Sequence, residues 1–358
     1  MGSQRIYTLP VDQTGWSVDG QFETVFNWEY DDLRDRLLGL YSKGKQKQWD
    51  AEVRIDWSQD LDPENPMQLA DEYMGIYGTD LWNKMSTKER AELRHHGQAW
   101  QMSQFLHGEQ GALICAAKIV QTVPDVDSKF YAATQVIDEA RHVEVYSRFL
   151  HEKLELAYPI GPPLKALLEQ VVTDSRWDYT YLGMQVLIEG LALAAFALIR
   201  DFAANPLASA INAYVMQDEA RHVAFGRLAL KDYYPQLTQA ERDEREEFVV
   251  EACYLMRDRF RGEEVWARLG LPEEELKEYV DNAPVMQVFR RLLFTRIVPT
   301  IKDIGLWGPK VQKAYADMGV LDLADLDPDE ASAADERFAE ELDARKDQVA
   351  TTIAAAEA

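Results

Sequence analysis

From about Pro66 to Tyr234, apolar residues recur at three- and four-residue steps on a background rich in Ala, Leu, Met, Glu and Gln. No run alternates apolar with polar positions as a half-buried strand would. The pattern predicts long helices, broken where prolines cluster: near Pro124, near Pro159–Pro163 and at Pro206. A shorter helix is expected from about Glu29 to Lys47. The polar connector after it, KQKQWDAEVRIDWSQD, has embedded tryptophans and reads as an arm laid across a body. Past Tyr234 three more helices are expected, over Thr238–Arg261, Glu273–Tyr279 and Pro284–Lys302. The last stretch, DPDEASAADERFAEELDARKDQVATTIAAAEA, is acidic and alanine-rich, a solvated helix with too little apolar surface to be core. No sharp linker interrupts the chain. The expected fold is all-α: an N-terminal arm (1–58), one helical domain (59–325) and an acidic C-terminal tail (326–358).

Charge narrows the function. The 358 residues carry a formal net charge of −24, a field that repels phosphates, so neither nucleic acid nor an anionic membrane is an expected partner. Only two cysteines occur, Cys115 and Cys253, in unrelated contexts, so no disulfide framework or CxxC zinc site is available. The first twenty residues include Gly2, Gln4, Arg5, Asp12, Gln13 and Asp19, which leaves no secretory apolar region. The longest apolar stretch, Met184 to Ile199, is interrupted by Gln185, Glu189 and Gly190 and reads as a buried helix rather than a membrane span. A soluble, cytoplasmic protein is the expectation.

The chemistry lies in a repeat. DEARHV occurs twice, at Asp138–Val143 and Asp218–Val223, and each copy places a glutamate and a histidine three residues apart: Glu139 with His142, and Glu219 with His222. On a helix that spacing puts both side chains on one face. Each copy is preceded by an isolated glutamate among apolar and small residues, Glu109 in LHGEQGALICAA and Glu189 in MQVLIEGLALAAFA. The separation is 30 residues in both halves, and the midpoints fall on Pro124 and beside Asn205 and Pro206, both turn signals. Each half is therefore a helical hairpin, and its two glutamates lie at one height, about 20 Å from the turn. Packing the hairpins together brings four carboxylates and two imidazoles into the middle of a bundle, the ligand set of di-metal carboxylate bundles. A lone Glu-x-x-His pair is usually surface decoration. Here, however, Glu109 and Glu189 sit where the pattern is most apolar, and burying an unpaired carboxylate costs several kcal/mol. Four carboxylates also balance two divalent cations. Oxygen and nitrogen donors without thiolate suit iron or manganese rather than structural zinc.

On these motifs, over about residues 84–235, the sequence resembles the ferritin-like superfamily of di-iron carboxylate proteins. That group includes bacterial multicomponent monooxygenases, acyl-carrier-protein desaturases, arylamine N-oxygenases and the ribonucleotide reductase small subunit. The resemblance implies a four-helix bundle with additional helices and two iron ions, an iron–iron or a manganese–iron pair, held by Glu109, Glu139, His142, Glu189, Glu219 and His222. By the same similarity, Asp138 and Asp218 accept hydrogen bonds from the outer nitrogens of the ligand histidines, each serving the opposite hairpin, with Arg141 and Arg221 holding those aspartates. The alternative is an exposed ion pair within each helix. Tyr146, one turn after His142, matches the radical-bearing tyrosine of many ribonucleotide reductase small subunits, though a packed core tyrosine with a satisfied hydroxyl is the better reading; the second copy has Gly226 there. Arylamine N-oxygenases carry an extra histidine one turn before the last Glu-x-x-His, and that position here is Val215, a departure that counts against that assignment. His95, His96, His107 and His151 lie outside the spacing.

Phe105, Ala112, Leu113, Gln185, Val186, Ala192 and Leu193 lie one turn or less from Glu109 or Glu189 and are candidate cavity-lining residues; close helix packing would use them equally. Trp177, Tyr179 and Tyr181 read as packing residues. The function implied is an O2-dependent, monooxygenase-like oxidoreductase that hydroxylates, N-oxygenates or desaturates a small organic substrate. Electrons would come from a separate ferredoxin or flavoprotein reductase, since no flavin, nicotinamide or iron–sulfur motif is visible. The alternatives are a radical-generating subunit built on Tyr146 and an iron-storage or structural metal protein. A homodimer fits the flat helix faces of such bundles.

Overall fold

The structure is a computed structural model that describes residues 15–20, 22–27, 30 and 34–357. Positions 1–14 and the expected helix start at Glu29 lie outside the described residues. The first described helix is α1, Asp35–Gln46. After two short helical segments, Ala51–Arg54 and Asp80–Lys84, comes a 36-residue helix, α2 (Thr87–Thr122), opened by a capping box in which Ser86 and Glu89 exchange side chain–backbone hydrogen bonds. It ends before Pro124, and Asp125 caps α3 (Val126–Arg148) by accepting from the Ser128 amide. After α4 (Pro162–Thr173), the second hairpin pairs α5 (Trp177–Phe202) with α6 (Pro206–Tyr233). There Asn205 caps α6 at the Ala208 amide, and Pro206 occupies the first helical position, where a missing N–H costs nothing. Both turns fall where the prolines predict them. No strand occurs among the described residues, and the fold is the expected all-α helical bundle.

By length and composition α5 would cross a membrane, but 78% of its most apolar window is buried against other helices. Within α5, Tyr181–Ile188 forms π-helical turns that end directly before Glu189. Such turns widen the helix locally and often mark functional sites.

The remaining helices form a second layer. Thr238 caps α7 (Gln239–Asp258), four short helices follow as α8 (Glu263–Leu269), α9 (Glu273–Asn282), α10 (Pro284–Leu293) and α11 (Ile297–Asp303), and α12 (Pro309–Asp317) precedes the last, α13 (Pro328–Glu357). The expected single helix over Pro284–Lys302 is broken at Phe294–Arg296. Pro299 explains the break: in a continuous helix its ring would meet the Thr295 carbonyl, whereas it now sits in the first turn of α11.

The acidic tail corrects a larger expectation. Part of α13 is core: Ala339 is fully buried, and Asp335 is buried between Arg200 (3.0 Å) and Arg296 (2.6 Å). Glu336, Glu340 and Asp343 face Lys43, Lys47 and Arg54 at 2.5, 2.8 and 2.6 Å. The tail is docked by charge rather than apolar area. Its acids stand at helical spacing on one face and meet basic residues on two separate segments of the N-terminal arm, a match no local pattern displays.

Candidate metal centre

Sequence spacing placed Glu109 on α2, Glu139 and His142 on α3, Glu189 on α5, and Glu219 and His222 on α6. The structure brings all six together, each at most 5% exposed. Glu139 Oε2 lies 3.3 Å from His142 Nδ1, and Glu139 Oε1 lies 3.1 Å from His222 Nδ1. Glu219 makes the mirror pair, Oε1 2.9 Å from His142 Nδ1 and Oε2 3.3 Å from His222 Nδ1. These two carboxylates therefore span both imidazoles. Glu109 stands only by His142, at 3.2 Å. Two overlapping four-residue clusters result: Glu109, Glu139, His142 and Glu219, and Glu139, Glu189, Glu219 and His222, each with one donor atom per residue inside 4.8 Å.

The donors suit a pair of cations. Glu139 Oε2, Glu189 Oε2 and Glu219 Oε1 are buried without a hydrogen bond, an arrangement that burial penalises unless positive charge is close. Burial, then repulsion by Glu219, pushes the Glu109 and Glu189 carboxyls well above their ordinary range. Glu139 is held low against the cost of burial by the two imidazoles. His142 and His222 are raised despite burial, by the acids around them. Without metal, protons take the place of the cations. The buried Glu/His cluster fits a di-metal site.

Behind the imidazoles the halves cross. His142 Nε2 lies 3.2 Å from Asp218 Oδ2, and His222 Nε2 lies 3.2 Å from Asp138 Oδ2. Arg141 donates to Asp138 (2.5 Å) and to Asp218 (2.8 Å), and Arg221 donates to Asp218. All four are buried, so the exposed intrahelical ion pair is not what forms. Holding the outer nitrogen in this way leaves each Nδ1 directed at the carboxylates.

Three polar residues at the site went unread in the sequence. Gln135 Nε2 donates 2.9 Å bonds to both Glu139 Oε1 and Glu189 Oε1; its place one turn before Glu139 was a usable signal. Gln48 donates to Asp138 at 2.7 Å, and Trp49 Nε1 donates to Asp218 at 2.8 Å. Both come from the arm after α1, where nothing local marks them. Tyr146 is fully buried, donates its hydroxyl hydrogen to Asn212 Oδ1 at 3.0 Å and packs on Phe105 and Phe196.

A cavity of about 20 Å³ touches Glu109, Glu189 and Glu219. Phe105, Ala112 and Ala192 line it as expected; Leu113, Gln185, Val186 and Leu193 do not. On α5 the π turns are the reason. With the wider turn, Met184, five residues before Glu189, takes the face that Gln185 would hold in a regular helix.

Of the solved structures that match, one is a mutant of R2-like ligand-binding oxidase with an aerobically reconstituted Mn/Fe cofactor. It is 16% identical, covers 77% of this chain and 96% of its own, and has a TM-score of 0.49. The same mutant with an anaerobically reconstituted Mn/Fe cofactor has the same identity and coverage and a TM-score of 0.46. No curated protein sequence matches. The family model described as p-aminobenzoate N-oxygenase AurF matches residues 29–305, so the chain belongs to that family of di-iron, ferritin-like oxygenases.

Proposed function

We propose that Glu109, Glu139, His142, Glu189, Glu219 and His222 hold two iron ions and that the protein uses O2 to oxidise a small organic substrate, with arylamine N-oxygenation the leading reaction. The observation that carries this reading is the pair of carboxylates, Glu139 and Glu219, each spanning both imidazoles inside one buried cluster. A manganese–iron pair suits the same donors. When bound, the metals supply the electrons and Lewis acidity that O2 reduction requires.

The protein's own residues do the rest. Asp138 and Asp218 fix the imidazole orientations and are themselves held by Arg141, Arg221, Gln48 and Trp49. Gln135 ties Glu139 to Glu189, so the two halves of the site share one hydrogen-bond donor. Phe105, Phe196 and Met184 give the cavity an apolar wall beside the carboxylates, which strengthens the electrostatic interactions there. The chain shows no flavin or nicotinamide motif, and a separate ferredoxin or flavoprotein reductase completes the electron supply.

The test is to load the protein with Fe(II), determine metal per chain, and follow O2 consumption with 4-aminobenzoate and a chemical reductant. About two metals per chain and an oxygenated amine in the mass spectrum are expected. A chain that binds no metal, or that consumes O2 without oxidising any amine offered, would sink the corresponding half of the proposal.

A further inference from the structure

The acidic C-terminal helix reaches the metal centre through the N-terminal arm. Two arm residues donate to the aspartates behind the imidazoles: Gln48 Nε2 to Asp138 at 2.7 Å, and Trp49 Nε1 to Asp218 at 2.8 Å. Cations of the arm stand on either side of this pair in sequence, and α13 holds both. Lys47 meets Glu340 at 2.8 Å. Arg54 meets Asp343 at 2.6 and 3.3 Å, with one contact to each carboxylate oxygen. Lys346 of α13 also donates to the Arg54 carbonyl. The stretch that serves the metal site is therefore strapped down before and after it.

The two aspartates rely on this strap unequally. On the α3 side the arm has anchors of its own: Arg141 donates to Gln48 Oε1 at 2.8 Å, and Arg148 pairs with Glu52 at 2.7 Å. On the α6 side it touches down through Trp49 and Arg54. The Arg54 guanidinium donates to Gln217 Oε1 at 3.0 Å and lies over the rings of Tyr214 and Trp49, 4.0 and 5.5 Å from their centroids. Arg54 thus grips the residue before Asp218 and the indole that bonds to Asp218. Among the described residues Asp343 is the only carboxylate within 4.0 Å of it. The Arg54 side chain is 15% exposed, so this pair is better shielded from water than an ordinary surface ion pair and holds more firmly.

We propose that Arg54 and Asp343 are positioning residues for the metal centre: clamped by the C-terminal helix, Arg54 keeps Trp49 against Asp218 and so keeps the His142 ring aimed at Glu109, Glu139 and Glu219. Asp218 Oδ2 lies 3.2 Å from His142 Nε2, and a carboxylate in that place fixes a ligand imidazole's tautomer and orientation. The strap carries this control out to the surface, where the Asp343 side chain is 41% exposed and salt reaches it. The inference rests on the reading that the six ligands hold metal. It concerns how firmly His142 is aimed, not what the metals do.

The test compares the full-length wild type with Asp343→Asn, Asp343→Glu and Glu341→Gln. Glu341 lies on the same helix and pairs with Arg345 at 3.8 Å, so its variant removes the same charge without touching the arm. Mn(II) affinity is read by competition with a chelator, and the EPR spectrum of the Mn(II)-loaded protein reports the symmetry of the site. Asp343→Asn should weaken Mn(II) binding about threefold to tenfold, less than removal of a group bonded directly to a ligand, and should alter the spectrum. Asp343→Glu should recover most of the affinity, and Glu341→Gln should match the wild type. Because the clamp is electrostatic, the gap between wild type and Asp343→Asn should close at about 1 M KCl. A clamp that only stabilises the fold would lower the melting temperature of Asp343→Asn and leave affinity and spectrum at wild-type values, which overturns the inference. Equal losses in Asp343→Asn and Glu341→Gln overturn it too, since bulk charge would then be the cause. A wild type that binds no Mn(II) sinks the metal reading and this inference with it. A wild type that binds Mn(II) no better than Asp343→Asn, with the same spectrum, sinks this inference alone.

Discussion

Four residues after His142 the chain has Tyr146; four after His222 it has Gly226. Four residues before Glu139 it has Gln135; four before Glu219 it has Val215. The two hairpins repeat the same hexapeptide and supply the same ligand types, but these neighbours differ, and the structure shows what each does. Tyr146 packs against Phe105 and Phe196, which also touch each other, and bonds to Asn212. At Gly226 no side chain fits, because a Cβ there would lie 2.6 Å from the Cβ of Gln185 in the π turns of α5. Gln135 reaches across to Glu189, whereas Val215 offers no hydrogen bond. The duplication builds a symmetric metal cluster, and the residues one turn away make its two sides unequal. Specificity therefore resides around the ligands, not in them.

The strongest way to break the comparison is to remove a ligand from each half. His142→Ala and His222→Ala should each reduce bound iron from about two per chain to one or none, by metal analysis. Equal loss would show that the clusters depend on one another through Glu139 and Glu219; loss of a single metal in either variant would show independent halves. Metal affinity in the wild type should weaken as pH falls. Glu109, Glu189, His142 and His222 all hold protons more tightly than usual in the metal-free site and must release them to a cation. Titration with Mn(II) at several pH values checks the sign, and an affinity that rises on acidification would contradict it.

Gln135→Val would make the first half resemble the second. Loss of the bonds to Glu139 and Glu189 should weaken metal binding about 10- to 100-fold, read by competition with a chelator. Gly226→Ala attacks the second half and should cost about 1–3 kcal/mol of stability, since Gln185 is backed by the bundle core. Urea melts of the loaded protein measure it, and an unchanged midpoint would mean that α5 and α6 part easily. The smallest effect is expected for Tyr146→Phe, about 1 kcal/mol for the lost bond to Asn212. A larger loss of turnover than of stability would point to a redox part for this tyrosine.

Much of the site was legible before the fold. Equal 30-residue spacing and turn residues at both midpoints located Glu109, Glu139, Glu189 and Glu219 at one level of a bundle, because helical rise converts spacing into height. Asp138, Arg141, Asp218 and Arg221 came with the repeated cassette. Gln48 and Trp49 were not legible: they enter from the arm, and their roles come from contacts across 90 and 169 residues of chain. The docking of α13 on the arm escaped for the same reason.

Periodicity, proline placement and a doubled motif thus determined by themselves the helical class, the hairpins and the carboxylate–imidazole set. All of these follow from residues close in sequence, where 3.6 residues per turn is a sufficient rule. Tertiary structure alone decided which carboxylates span both histidines, which imidazole nitrogen faces them, and that the acidic tail helix docks on the arm. Those outcomes depend on how separate helices approach, on a few π turns in α5, and on which distant charges meet.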